Sequence, residues 1–381
     1  MLYQLSYVSA VHFARTPGEQ ANVRSSAAGC KPAFPRPTAV RLPALLLTAP
    51  LLAAALLAAP PAYQVARTVT LGGEGGWDYL TVDTASNRLF VSRGTHVMVV
   101  DLARDTVVGD LPNTPGVHGI ALAYDLGRGF TSNGRDSSVL AFDLRTLAPT
   151  GRYGPTGANP DAIGYDPASG RVFTFNGRGQ SMTALDARTG RVVGTVPLGG
   201  KPEFAAFDGR GTLYVNVETT SELVAADTRT LEVKRRTKIE GCEDPSGLAI
   251  DAARGRLFVG CGNRVMAVHD AATGRQLATL PVGQGVDAVG FDAGTGDVFV
   301  SAGDGTLTVV RDAGGDQWRV AQTVATKRGA RTLAVDPVHH RVYVVTAEFG
   351  PAPAPTAEQP RPRPAAVPGS FQMLVVAAAA R

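Results

Sequence analysis

The chain has 381 residues, 44% hydrophobic and 18% charged, which is enough apolar material for a large core and is neither a fibrous nor a disordered composition. Thirty-seven Lys and Arg against 33 Asp and Glu leave a net charge of +4, so no strong single-sign field marks a polyanion partner. Aromatic residues are only 7% of the chain, too few for stacking platforms, and nucleic acid is not an expected partner.

Residues 1–39 show no sustained periodicity and read as a leader outside the folded protein, untranslated if synthesis begins at Val40. Residues 40–62, "VRLPALLLTAPLLAAALLAAPPA", carry one basic residue, Arg41, and then a Leu/Ala run broken by Pro43 and Pro50. This pattern is that of a secretory signal, cut between Ala59 and Ala62, and it implies a periplasmic or secreted protein with no stable membrane insertion after cleavage. The competing reading is a single anchor, since the 18 residues from Leu42 to Ala59 reach the lower limit for a span.

From residue 63 onward one phrase returns seven times: "DYLTVD" (78–83), "HGIALA" (118–123), "DAIGYD" (161–166), "EFAAFD" (203–208), "SGLAID" (246–251), "DAVGFD" (287–292) and "RTLAVD" (331–336). The spacings are 40, 43, 42, 43, 41 and 44 residues. Each phrase leads through a turn to a second apolar run such as "NRLFVS" or "GRVFTF". A third run follows, mostly ending in Asp, and then a fourth such as "GRVVGTVPLGG". Four short runs rich in Val, Phe, Leu and Tyr, separated by Gly/Asp/Ser/Asn turns, predict a four-stranded antiparallel sheet. Repeated at this period, such a sheet is a propeller blade, and no 3.6-residue periodicity supports a helical repeat. The expected fold is all-β, a seven-bladed β-propeller over residues 63–381.

The fourth residue of each phrase is small: Thr81, Ala121, Gly164, Ala206, Ala249, Gly290 and Ala334. Crowding near a central channel is the expected cause. The last repeat ends before a fourth run, while "YQVARTVTLGG" (63–73) reads as one, so the N-terminal strand is expected to complete the last blade and remove the open edges. That blade also carries a Pro-rich insertion, residues 347–369, expected to be extended rather than packed. Of the three cysteines, Cys30 lies in the leader, whereas Cys242 and Cys261 flank the fifth phrase and would form a disulfide in an oxidising compartment.

The phrases "RLFVS", "RVFTFNG" and "RVYVV", each after a D-x-x-x-G/N-R-type turn, together with "LDARTGRVVGTVPLG", resemble the YncE-like family of YVTN-repeat β-propellers across residues 63–381. The resemblance implies an exported propeller with a binding role.

In this topology the loops entering the first strand of every blade share a face with the loops joining strands two and three. The first residue of each phrase then forms a ring at the channel mouth: Asp78, His118, Asp161, Glu203, Ser246, Asp287 and Arg331. Polar residues at strand entrances often only face water. Four carboxylates around one funnel carry more than that, since two such charges ~8 Å apart at an effective dielectric of ~20 repel by ~2 kcal/mol and so favour a bound cation.

Three uses of the ring follow. Asp78, His118 and Asp161 offer an O,N,O set to a divalent metal, and no cofactor is predicted apart from such an ion. A cationic or hydroxyl-rich small ligand would sit over the ring with Arg331 steering an anionic part. A hydrolase of the lactonase type, as some seven-bladed propellers are, would use His118 or Glu203 as base and Arg331 as electrophile. Arg361 and Arg363 of the insertion are expected to drape over the acidic mouth as a lid or a strip for a partner.

His339 and His340 read as solvated turn residues on the opposite face. No G-x-S-x-G elbow, H-E-x-x-H motif or P-loop is present. The expectation is therefore a monomeric platform for an unidentified small ligand or protein, with catalysis at the mouth as the alternative.

Overall fold

In the computed structural model, residues 62–354, 356, 362 and 364–379 are described; the leader, the signal segment up to residue 61, Arg361 and Arg363 lie outside them. The described strands form seven four-stranded antiparallel sheets. Their first strands are Leu80–Asp83, Val117–Ala123, Pro160–Asp166, Pro202–Phe207, Pro245–Asp251, Val286–Asp292 and Leu333–Asp336. Each packs against the first strand of the next blade, and the seventh packs against the first, so the circle is closed around an axis. The chain is a seven-bladed β-propeller.

Burial follows position in the blade. Second and third strands, such as Arg88–Ser92 and Val97–Asp101, are buried almost throughout, because neighbouring blades cover both of their faces. This explains their continuous apolar runs. Fourth strands such as Val233–Lys238 alternate half-buried and exposed residues and carry the charged side chains.

The Asp that ends most first strands is a buried turn-former. Asp83 accepts from the backbone N–H groups of Ala85 and Ser86, Asp166 from those of Ala168 and Ser169, and Asp251 from those of Ala253 and Arg254. A carboxylate that closes its own turn satisfies donors that would otherwise be orphaned. His339 and His340 belong to this system and are more than solvated: His339 Nδ1 lies 2.7 Å from Asp336 Oδ2, and His340 Nδ1 lies 2.8 Å from Asp292 Oδ2 of the preceding blade.

The small fourth position is crowded by the next blade. A Cβ on Gly164 would fall 2.1 Å from the Phe207 ring of the next blade, and one on Gly290 would fall 2.4 Å from Val335 Cγ2. At these two glycines the crowding is that of one innermost strand against the next.

Closure is made by Tyr63–Thr70, which pairs antiparallel with Gln372–Ala378 from Tyr63 opposite Ala378 to Thr70 opposite Gln372. Just beyond it the Arg93 side chain is buried, donating to the carbonyl oxygens of Gly72 and Gly75 at 3.1 and 2.9 Å, with its guanidinium 3.7 Å from the Phe371 ring centroid. Burial pushes its pKa down to about 10, so the group stays a cation under ordinary conditions. Among the described residues no helix is long and apolar enough to cross a membrane.

Candidate functional site

Bulges place the ring residues. In blades 2 to 6 the pairing of first and second strands skips a residue between Val117 and Ile120, Pro160 and Ile163, Pro202 and Ala205, Pro245 and Leu248, and Val286 and Ala288. His118, Asp161, Glu203, Ser246 and Asp287 each lie in that skip, as the second residue of the strand rather than the first. An extra residue bends the strand and re-aims its side chain. Asp78 and Arg331 lie two residues ahead of strands that begin at Leu80 and Leu333. The Arg331 amide is already donated to Gly329 O at 2.9 Å and is lost to the ladder.

The ring is divided into groups. His118 Nδ1 lies 2.6 Å from Asp78 Oδ2 and 3.6 Å from Asp161 Oδ1, and one ligating atom from each of the three lies within 4.8 Å of the others. Lys201, just ahead of the fourth first strand, donates to Glu203 and, at 2.5 Å, to Glu218 Oε2 from the loop between strands two and three of the same blade. Arg331 Nε is 3.7 Å from Asp287 Oδ2. Ser246 is a strut rather than part of a charge group: its hydroxyl lies 3.1 Å from the carbonyl oxygens of both Val286 and Asp287 in the next blade.

Burial and crowding set the protonation of these groups. Burial pushes Asp161 up to about 6, with Asp78 and Asp287 adding to the rise while His118 and Lys201 oppose it. Burial, together with the charge of Asp161, pushes Glu203 up to about 8 against the pull of Lys201. Burial alone would lower His118, but its bond to Asp78 and the charge of Asp161 outweigh that and hold the imidazolium above its ordinary value.

Sequence reasoning missed four residues here: Lys201, Glu218, Tyr79 and Phe204. The rings of Tyr79 and Phe204 stack with centroids 4.6 Å apart and planes 26° apart. They come from blades 1 and 4, which are not neighbours, so the contact crosses the axis. The signal was present in the position after each ring residue, which reads Tyr79, Gly119, Ala162, Phe204, Gly247, Ala288 and Thr332, aromatic in two blades only. The Tyr79 hydroxyl is buried without a protein partner, and burial with the charges of Asp161, Glu203, Asp78 and Asp287 holds its pKa well above the usual value.

Two further features lie on this face. Cys242 and Cys261 form a disulfide, with Cα atoms 5.5 Å apart, which ties the loop entering blade 5 to the end of its second strand. The Pro-rich insertion starts from a stem in which Gly350 N–H donates to Ala365 O and Val367 N–H to Glu348 O. Phe349 of that stem has its ring 6.2 Å from Trp77, the residue before Asp78.

No family model matches the chain, and no curated protein matches it in sequence. Its fold is similar to a chain in a crystal structure of the mitotic checkpoint complex, at 14% identity and a TM-score of 0.68, covering 90% of this chain and 99% of that one. It is also similar to a chain of Kuenenia stuttgartiensis hydrazine synthase, at 13% identity and a TM-score of 0.62, covering 72% of this chain and 93% of that one. At these identities the likeness is one of fold, and the fold is that of β-propellers.

Proposed function

We propose that the protein is an exported, YncE-like propeller that acts as a binding platform, taking a cationic small ligand or a basic protein segment at the channel mouth. The observation that carries this reading is the charge of the mouth. Asp78, Asp161, Glu218 and Asp287 gather there, with Glu203 protonated below about pH 8, against Lys201, Arg331 and His118, beside the rings of Tyr79 and Phe204. A partly enclosed acidic cup with aromatic faces attracts cations by Coulomb and cation–π terms together. Export is supported by the signal-like segment 40–62 and by the Cys242–Cys261 pair, which suits an oxidising compartment. Membership of the YncE-like family rests on the second-strand phrases.

Lactonase-type hydrolysis has less support. His118 Nδ1 is committed to Asp78, Glu203 to Lys201, and Arg331 faces Asp287, so neither a free base nor a free electrophile is set out.

The test is a thermal-shift panel of amines, guanidinium compounds and basic peptides against neutral and anionic analogues, run on chelator-treated protein. Ligands that bind only the folded state raise its melting midpoint. The expected result is stabilisation by cations that weakens with salt and is lost in the Asp161→Asn/Asp287→Asn double variant. Equal responses from wild type and variant, or none to any cation, would overturn the reading.

A further inference from the structure

The Tyr79 hydroxyl poses a specific problem. It is buried, lies within the field of Asp78, Asp161, Glu203 and Asp287, and reaches none of them. A buried hydroxyl left without a partner costs about 1–3 kcal/mol. A group from outside the chain, held by these carboxylates, would supply the missing partner.

The charged groups of the mouth select its class. Glu203 is matched by Lys201, and Asp287 faces Arg331. Asp78 and Asp161 form no ion pair with Lys or Arg among the described residues; their ion-pair partner is the His118 ring, with the Lys201 charge reaching Asp161 from a distance. The three side chains are 29%, 27% and 13% exposed, so they are held groups rather than mobile surface charges. They come from three successive blades, and the bulges of blades 2 and 3 with the closed circle of first strands fix their separation.

One imidazole nitrogen and two carboxylate oxygens suit Mn²⁺, Fe²⁺, Co²⁺ or Zn²⁺, whereas Ca²⁺ and Mg²⁺ prefer oxygen alone. We propose that Asp78, His118 and Asp161 bind one divalent first-row transition-metal ion at the channel mouth. The proposal rests on the mouth being the binding site, and it names an inorganic part of what that site holds. The ion replaces the proton shared between His118 Nδ1 and Asp78 Oδ2. Their 2.6 Å contact is shorter than the ~3.3 Å between two donors bonded at ~2.0 Å to a tetrahedral ion, so Asp78 draws back by less than ~1 Å on binding.

The experiment is titration of the chelator-treated full chain with Co²⁺ and Zn²⁺, with Mg²⁺ and Ca²⁺ as controls, followed by calorimetry and by the visible absorption of bound Co²⁺. The expected result is one Co²⁺ or Zn²⁺ per chain. Affinity should fall at least ~100-fold in His118→Ala and about 10-fold or more in Asp161→Asn, at or above the loss typical of an outer-shell group. Glu232→Gln, an exposed carboxylate outside the mouth, should stay within about threefold of wild type, and melting midpoints establish that each variant is folded. The proposal is overturned by an absence of saturable Co²⁺ and Zn²⁺ binding at millimolar metal, or by undiminished binding in folded His118→Ala. If metal-free protein still binds amines through the mouth while taking up no metal, this site alone fails and the acidic platform stands.

Discussion

Glu203 shows how far a side chain's behaviour is set by what surrounds it. Its carboxyl is 15% exposed, bonded to Lys201 and facing the charges of Glu218 and Asp161 and the hydroxyl of Tyr79. With its pKa at about 8 against 4.5 for the free side chain, the folded protein keeps a proton that the unfolded chain has released between those two values. The folded state then binds more protons than the unfolded state, so this group's contribution to stability falls as pH rises through that window. Glu203→Gln has no such proton. The melting midpoint of the variant minus that of wild type is expected to rise between about pH 5 and about pH 8.5. A difference that stays flat over that range would mean that the Lys201 pair, not burial, governs the carboxyl. The ring was legible in the sequence because a polar residue recurs at a fixed place in each repeat. Lys201 and Glu218 were not, because their meeting depends on how one loop folds beside a strand start. Tyr79 and Phe204 were not, because their contact crosses the axis and no spacing along the chain encodes it.

Strands, turns and blades were the most legible level, since each is made by local chemistry: apolar runs, Asp turns and a length near that of a blade. Positions 78 and 331 show the limit. The phrases align them with true strand residues, but the amide of Arg331 is taken by a turn, and the strand starts later. Position 164 shows another limit, in that its smallness is visible in one repeat but the Phe207 ring that requires it belongs to the next. The disulfide is the one covalent brace at this scale, closing a sequence separation of 19 between the loop entering blade 5 and its second strand. In the chain-entropy picture a loop of that size restricts the unfolded state by roughly 3 kcal/mol. The double variant Cys242→Ser/Cys261→Ser is expected to lose that much unfolding free energy and so to unfold at a lower urea midpoint, with its slope nearly unchanged. Equal urea midpoints for variant and oxidised wild type would show that the bridge adds no stability.

The whole molecule depends on a joint between its two ends. Tyr63–Thr70 supplies the fourth strand of the blade whose other three come from the C-terminal region, and its loss would leave Gln372–Ala378 as an unpaired edge. Tyr63 carries the joint into the neighbouring blade: its hydroxyl donates to Asp297 at 2.9 Å, and its ring packs edge-on to Phe299 at 5.0 Å. Asp297 is in turn held by Arg311, so the contact ends on a fixed ion pair. Because the first strands touch in an unbroken circle, a slackened joint weakens every blade's hold on its neighbours, and the mouth groups lose their spacing together. Tyr63→Ala is expected to cost about 3–5 kcal/mol, as for a large buried aromatic, and to lower the melting midpoint in one transition shared by the whole ring. Deleting residues 63–70 should lower it further and weaken ligand or metal uptake at the mouth, although the deleted strand itself contributes no mouth residue. A wild-type midpoint in either variant, or separate transitions for the last blade and the rest, would mean that the blades stand independently and that the mouth is held by local contacts alone.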